Sequence, residues 1–282
     1  MAVFFILFLC IYMHSELDHI EQQYQGYKQT QALWLQSAIM GISQLAIPNN
    51  TSDSYIKTLP NNLRLGKRVE QFVFNELEQN EAVSILVENI QIQEQKQTIG
   101  ELDAIITLNE KPIHLEIVYK FYVFDDSVGI SETDHFIGPN RKDSLIEKLT
   151  KLKNKQLPLL YKPQTQALLA SLKLDVNEIQ QKVCFKAQLF LPYKKEIVLK
   201  ELNPDCIAGI YLRKEQLREF ETCNFYFPIK PDWLIQPHHS VNWLDYTASQ
   251  DALNRIHIEK NSACCWIQQA DNSIIKSFIV WW

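Results

Sequence analysis

The sequence predicts an α/β fold: a mixed central sheet flanked by helices, in the order helix, three strands, helix, strand, followed by a C-terminal α+β extension. Apolar residues recur at helical spacing up to about residue 77, and from residue 84 the period changes to two. Three alternating segments then follow one another with short connections, as an antiparallel meander requires. Helical spacing returns over residues 143–157, before one more alternating run that Pro192 ends.

Residues Met1–Met13 are almost wholly apolar, but the run falls short of the ~20 residues needed to cross a bilayer. No basic residue precedes it and no small-residue cleavage site follows, so it does not read as a secretory signal. Residues 1–28 are therefore taken as an apolar leader outside the core, and the chain is expected to be cytoplasmic with no membrane partner. A membrane-tethered interaction protein is an alternative resting on this leader alone. From Gln29 to Leu45 the spacing predicts a helix closed by Pro48-Asn49-Asn50. Leu65, Val69, Phe72, Val73 and Leu77 form one stripe, predicting a helix over 63–77 that leaves Arg64, Lys67, Arg68 and Glu70 beside it.

Strands are predicted at 84–93, 99–108 and 112–124, with Asn109-Glu110-Lys111 as the turn between the last two. Leu145, Leu149 and Leu152 give the helix at 143–157, short helical pieces follow, and a fourth strand covers 183–191. These elements divide the chain into a core over 29–193 and an α+β extension over 194–282, with strands at 206–212 and 224–227 and a charged helix at 213–220.

Composition excludes several functional classes. Only seven glycines occur, and none falls in a Rossmann fingerprint, a P-loop or a nucleophile elbow. Any chemistry must be carried by side chains. With 28 basic against 33 acidic residues, the chain is not a binder that coats nucleic acid by sheer positive charge. Six scattered cysteines without a C-x-x-C read as reduced thiols.

Strand parity supplies the most specific signal. On the second strand the odd face carries Glu101 and Asp103; on the third the even face carries His114, Glu116, Lys120 and Tyr122. A turn centred near Glu110 places Asp103 roughly opposite Ile117, so one residue of register makes Asp103 and Glu116 cross-strand neighbours. Two like charges so placed destabilise a sheet unless something offsets them. A divalent cation does, and Mg²⁺ (or Mn²⁺) characteristically takes one or two carboxylates while keeping waters for a phosphate. Glu101 shares the face of Asp103 as a candidate third acid, His114 is a candidate ligand or base, and Lys120 has the face needed to stabilise developing charge. The alternative is a solvated sheet face with a Lys–Glu pair.

In this order of elements, Asp103 on the second strand and Glu116 followed by Lys120 on the third resemble the PD-(D/E)XK nuclease superfamily. More closely, Gly100-Glu101-Leu102-Asp103, His114-Leu115-Glu116-(x3)-Lys120-Phe121-Tyr122 and Gly138-Pro139-Asn140 are similar to a bacterial family known as domain of unknown function 1853. The resemblance implies a restriction-endonuclease-like αβββαβ core. It implies Asp103 and Glu116 as metal ligands, Lys120 as the catalytic lysine and Glu70 on the first helix as an auxiliary acid. One departure is plain: the superfamily's lysine lies two residues after the acid, where this chain has Val118.

Between Arg141 and Lys155 six basic residues stand against Asp143 and Glu147. Arg141, Lys142, Lys148 and Lys151 are thus expected to contact a nucleic-acid backbone, DNA first, by charge rather than by reading bases. The alternative for this stretch is an ordinary solvated helix. The function expected is metal-dependent hydrolysis of nucleic-acid phosphodiesters; the alternative is a catalytically inactive nuclease-like domain that binds nucleic acid or a protein partner.

Overall fold

The computed structural model describes residues 18–35, 37–46, 54–60 and 62–282. The Met1–Met13 leader and the Pro48-Asn49-Asn50 terminator lie outside them. The described residues build an α/β fold around a mixed nine-stranded sheet.

A first helix, α1, covers residues 18–29, earlier than the spacing over 29–45 suggests. Its Ile20, Tyr24 and Tyr27 are buried in the main core, so residues 18–28 are structural rather than a leader. The described stretch after Thr30 is not helical but made of isolated bridges, bends and a turn. It runs along β5 (Gln180–Pro192): Leu33 N donates to Phe185 O, Leu45 N to Val183 O, and Val183 N to Ser43 O. The neighbouring strand β6 (Ile207–Leu212) pairs β5 only from Leu189 onward. The rest of that edge carries backbone groups that must be satisfied. This demand outweighs the helical spacing of residues 29–45, and Leu33 and Trp34 are buried all the same.

Helix α2 (Leu65–Glu78) buries Val69, Phe72, Val73 and Leu77, as its stripe requires. Strands β1 (Val83–Glu94), β2 (Gln97–Leu108) and β3 (Lys111–Phe124) form the antiparallel meander. The β2–β3 turn has two residues, with Leu108 opposite Lys111 and both Asn109 and Glu110 at positive φ. That is the backbone twist a tight hairpin favours, and it supplies the one residue of register that sets Asp103 level with Glu116. The short β4 (Phe136–Ile137) pairs with the end of β3. Strand β5 lies parallel to β3, so the run α2, β1–β3, α3, β5 reproduces the expected order.

Helix α3 (Leu145–Lys151) is capped by Ser144, whose hydroxyl accepts from Glu147 N. The expected helix over 143–157 does not continue as one. A π-turn at Leu152–Gln156, closed by Leu157 N donating to Leu152 O, leads into a 3₁₀ turn at Leu157–Tyr161. Pro158 has no N–H to give, which ends the regular ladder. Helix α4 (Pro163–Ser171) precedes β5. Helices α2 and α3 lie on opposite faces: α2 packs with Leu115, Ile117 and Tyr119, and α3 with Val118, Tyr122 and Phe185.

Residues 194–282, expected as an extension packed on the core, extend the sheet itself. The order is β1-β2-β3-β5-β6-β9-β8-β7, with β7 (Asn224–Tyr226), β8 (Ala263–Gln268) and β9 (Ile274–Ile279). Helix α5 (Tyr246–Ile258) and strands β8 and β9 are elements that the spacing does not predict. The charged segment at 213–220 is a 3₁₀ helix. The tryptophans pack mainly on aromatic neighbours: Trp266 meets Tyr226 at 5.0 Å and Trp233 meets Phe278 at 5.0 Å. All five described cysteines are free and buried. No helix among the described residues is long and apolar enough to cross a membrane.

Lys276 of β9 is buried, with Nζ donating to the carbonyls of Trp233 and Ile235. Burial pushes its ammonium down to about 8. The unfolded chain then binds the proton more strongly, so this group adds stability as pH rises from 8 toward the ordinary lysine value. Wild type should gain about 2 kcal/mol relative to Lys276→Met between pH 7.5 and 9.5, read by urea unfolding at both pH values. A constant difference would refute the buried charge.

Candidate functional site

The β2–β3 ladder stops at Ala104 opposite Leu115, while β2 continues on β1 and β3 continues on β5. The two strands therefore fork. At the fork Asp103 replaces a ladder partner: its Oδ2 accepts from Ile117 N at 2.8 Å. Because the fork opens between the two faces of the sheet, side chains from α2 and from α3 both reach it. They line a cleft of about 550 Å³ that includes Lys67, Glu70, Glu101, Asp103, Lys148 and Gln156.

Glu116, on the adjacent strand, is fully buried. Its Oε2 accepts from Gln156 Nε2 at 2.5 Å and its Oε1 lies 3.1 Å from His114 Nε2. Gln181 Nε2 is 2.6 Å from Leu157 O and 3.0 Å from His114 Nδ1. A carbonyl only accepts, so it fixes the orientation of the Gln181 amide; Nδ1 is then the acceptor and Nε2–H donates to Glu116. Every hydrogen bond to Asp103 and Glu116 thus comes from a backbone amide, an amide side chain or this imidazole. Among the described residues neither acid is paired with an ammonium or guanidinium group.

Electrostatics follow from this arrangement. Burial and the neighbouring Glu116 carboxylate push Asp103 up to about 7. Lys148 Nζ, bonded to Gln156 Oε1 at 2.7 Å, is pulled down by burial although Glu116 and Asp103 oppose the shift. Glu70 is also raised by burial, against the pull of Lys67.

The other sequence-derived residues divide into two groups. Glu70 and Glu101 share the cleft with the acids, but each is bound by Lys67, at 2.7 and 2.5 Å. Lys120 lies on the same strand face as Glu116 yet does not line the cleft; its Nζ donates to Asp143 Oδ2 at 2.6 Å. Lys148 and Lys151 line the cleft, joined by Lys155. Arg141 and Lys142 line a separate hollow, where Arg141 pairs with the buried Asp125 and lies 4.1 Å from the Trp282 ring centre. Arg141 is thereby held between a carboxylate and an aromatic ring.

Two residues of the cleft, Lys67 and Gln156, and the Lys67 partner Asn89 escape a site assignment made from sequence. Lys67 has a signal, its i,i+3 spacing to Glu70 on a helix. Gln156 is brought onto Glu116 by the π-turn, and Asn89 onto Lys67 from a left-handed backbone position within β1 (φ 53°); neither has a signature in spacing.

Among the described residues no group of three or more His, Cys, Asp or Glu side chains could together hold a metal ion. Apart from the two acids held by Lys67, the site offers Asp103 in the cleft lining and Glu116 buried behind it, hard oxygen donors of the kind that suit Mg²⁺ or Mn²⁺ with waters completing the shell. A family model described as a domain of unknown function (DUF1853) matches residues 14–275. No curated protein and no solved structure matches the chain.

Proposed function

The chain belongs to the DUF1853 family, and from that premise we propose that it is a nuclease-like domain of PD-(D/E)XK type whose Asp103–Glu116 cleft hydrolyses nucleic-acid phosphodiesters with a divalent cation. One observation carries the reading: Asp103 lines an open cleft and Glu116 lies buried directly behind it, reached through Gln156, with only uncharged donors on either acid and with lysines that suit a phosphate chain alongside. The order β1-β2-β3-β5, with β5 parallel to β3, supports a restriction-endonuclease-like core.

In this reading Asp103 and Glu116 hold Mg²⁺ or Mn²⁺, which when bound polarises a phosphoryl oxygen and lowers the pKa of a bound water. His114 and Gln156 fix the Glu116 carboxylate from both oxygens. Lys148 offers positive charge to the phosphate from α3, the role that the sequence assigns to Lys120. Lys151 and Lys155, both exposed, track the backbone on either side. Hydrolysis forms a bond from water oxygen to phosphorus and breaks one phosphorus–ester bond, the departing oxygen taking a proton.

The test is cleavage of plasmid and single-stranded DNA with Mg²⁺ or Mn²⁺, together with calorimetric Mn²⁺ titration. Cleavage and binding should both vanish in Asp103→Asn; residual cleavage equal to wild type would sink the site. Replacing Lys151 and Lys155 together by Gln should flatten the log–log dependence of DNA affinity on salt by about 2, roughly 1 per phosphate contact. An unchanged slope would place the polyanion elsewhere.

The pairing of Lys120 with Asp143 favours a second reading, a nuclease-like domain without catalysis that binds nucleic acid or a protein partner. Wild type that binds DNA with the same salt dependence but neither binds Mn²⁺ nor cleaves would establish it.

A further inference from the structure

The cleft has two electrostatically unlike halves. In one, Asp103 and Glu116 receive hydrogen bonds only from uncharged groups. In the other, Lys67 Nζ donates to Glu70 Oε2 at 2.7 Å, Glu101 Oε1 at 2.5 Å and Asn89 Oδ1 at 2.8 Å. An ammonium has three donors, and here three oxygens from three elements, α2, β2 and β1, take them all. Asn89 is presented by a residue in the left-handed region, a conformation asparagine tolerates better than most side chains.

We infer that Lys67 is a built-in cation: it occupies the position between Glu70 and Glu101 that a second divalent ion would otherwise take, so that the cleft binds one metal ion and not two. This rests on the metal-dependent reading for the Asp103–Glu116 half, but the Lys67 half can be tested separately. Charge balance supports it. With all four acids ionised, Glu70 and Glu101 together with Lys67 leave one net negative charge, whereas Asp103 and Glu116 leave two, which a single divalent ion neutralises. The three Lys67 donors are also spent, so this lysine has none left for a substrate phosphate, unlike Lys148.

Two assignments change as a result. Glu101 and Glu70, which the sequence offers as a third acid and an auxiliary acid, become ligands of an ammonium and are withdrawn from direct chemistry. Lys67 becomes a positioning residue that fixes α2 against the fork.

The experiment is Mn²⁺ stoichiometry by isothermal calorimetry on the full chain, with circular dichroism to verify folding. Wild type should bind one ion, Lys67→Arg one, and Lys67→Met two, because the two acids and the Asn89 carbonyl then face each other without a cation. Adding Glu101→Gln to Lys67→Met should return the count to one. Folded Lys67→Met that still binds one ion overturns the inference. If wild type binds none, the Asp103–Glu116 reading falls; the Lys67 inference then stands if Lys67→Met gains one ion that Glu101→Gln removes, and falls if Lys67→Met binds none. Should Lys67→Met not fold, the double variant Glu70→Gln/Glu101→Gln decides. It should keep one Mn²⁺ within twofold of the wild-type affinity, and a tenfold loss would show that those acids are metal ligands, which overturns the inference.

Discussion

Asp103→Asn should make the protein more stable at pH 8 in the presence of a chelator, while removing its affinity for Mn²⁺. The reason lies in the fork. Asp103 is 8% exposed beside the fully buried Glu116, and the two effects together hold its carboxyl near 7 instead of the usual 3.8. The sign follows from proton counting. A carboxyl with a raised folded-state pKa binds its proton more tightly in the folded chain, so the stability it contributes is complete below the ordinary aspartate value and is lost as pH rises through 7. Between pH 5 and 8 wild type should lose on the order of 2–3 kcal/mol through this group. The side-chain amide of the Asp103→Asn variant has no such proton to lose. The difference in stability should therefore move in favour of the variant by that amount across the interval, or by roughly 5 °C in melting temperature for a chain of this size. Excess Mn²⁺ at pH 8 should raise the melting temperature of wild type and leave the variant where it was. A variant that is less stable than wild type by the same margin at both pH values would refute the strained carboxylate pair. Such a result would also remove the main physical argument for a cation at this site, since a fork that tolerates both charges needs nothing to offset them.

Gly209→Ala should be among the most damaging single methyl additions in the chain, costing about 3–5 kcal/mol in urea unfolding. A Cβ on Gly209 would lie 1.9 Å from the carbonyl oxygen of Lys276 and 2.8 Å from its carbon. Both are backbone atoms of β9, the strand that pairs with β6 from Ile210 opposite Ser277 onward. No side-chain rotation relieves that contact; β6 and β9 must separate. Gly100→Ala provides the control. There the nearest atom is Leu159 Cδ2 at 2.6 Å, the end of a side chain that can turn away, and a loss of about 1 kcal/mol is expected. The two should also differ in function. Gly209 belongs to the far half of the sheet, so folded Gly209→Ala should bind Mn²⁺ as wild type does. Gly100 supports the 3₁₀ turn that follows Gln156, so its variant should weaken metal affinity although it is better folded. Equal losses of stability would mean that β6 and β9 are not in this register.

Much of the sheet's first half is legible in the sequence because its signals are local. The alternation over residues 84–124 places β1, β2 and β3 within a few residues, since side-chain parity in a strand depends on sequence alone. The stripe in α2 and the seam of Leu145, Leu149 and Leu152 are equally local. The errors arise where long-range demand competes with spacing. Residues 29–45 have helical periodicity but are needed along the edge of β5. The helix at 143–157 has periodicity through its end, yet Pro158 and the packing of Leu159 and Leu160 convert that end to a π-turn and a 3₁₀ turn. Strands β8 and β9 are short and buried, and β9 carries the buried Lys276, a residue that reads as surface until its carbonyl partners are known.

The pair of carboxylates is already written in the order of residues. Parity puts Asp103 and Glu116 on facing sides of one hairpin, and a two-residue turn needs only to choose the register. Which cations attend which acids is settled later, by the packing of helices on the sheet. Lys120 has the right face but turns to Asp143; Lys67 and Lys148 come to the cleft on helices from opposite faces of the sheet, where Lys67 takes Glu70 and Glu101 and Lys148 bonds Gln156. A lysine's partner is set by where its flexible stem ends in space, with several acids within reach of any one ammonium, and spacing along the chain carries no information about that choice. Strand parity is fixed by covalent geometry, whereas charge pairing is fixed only when the helices dock.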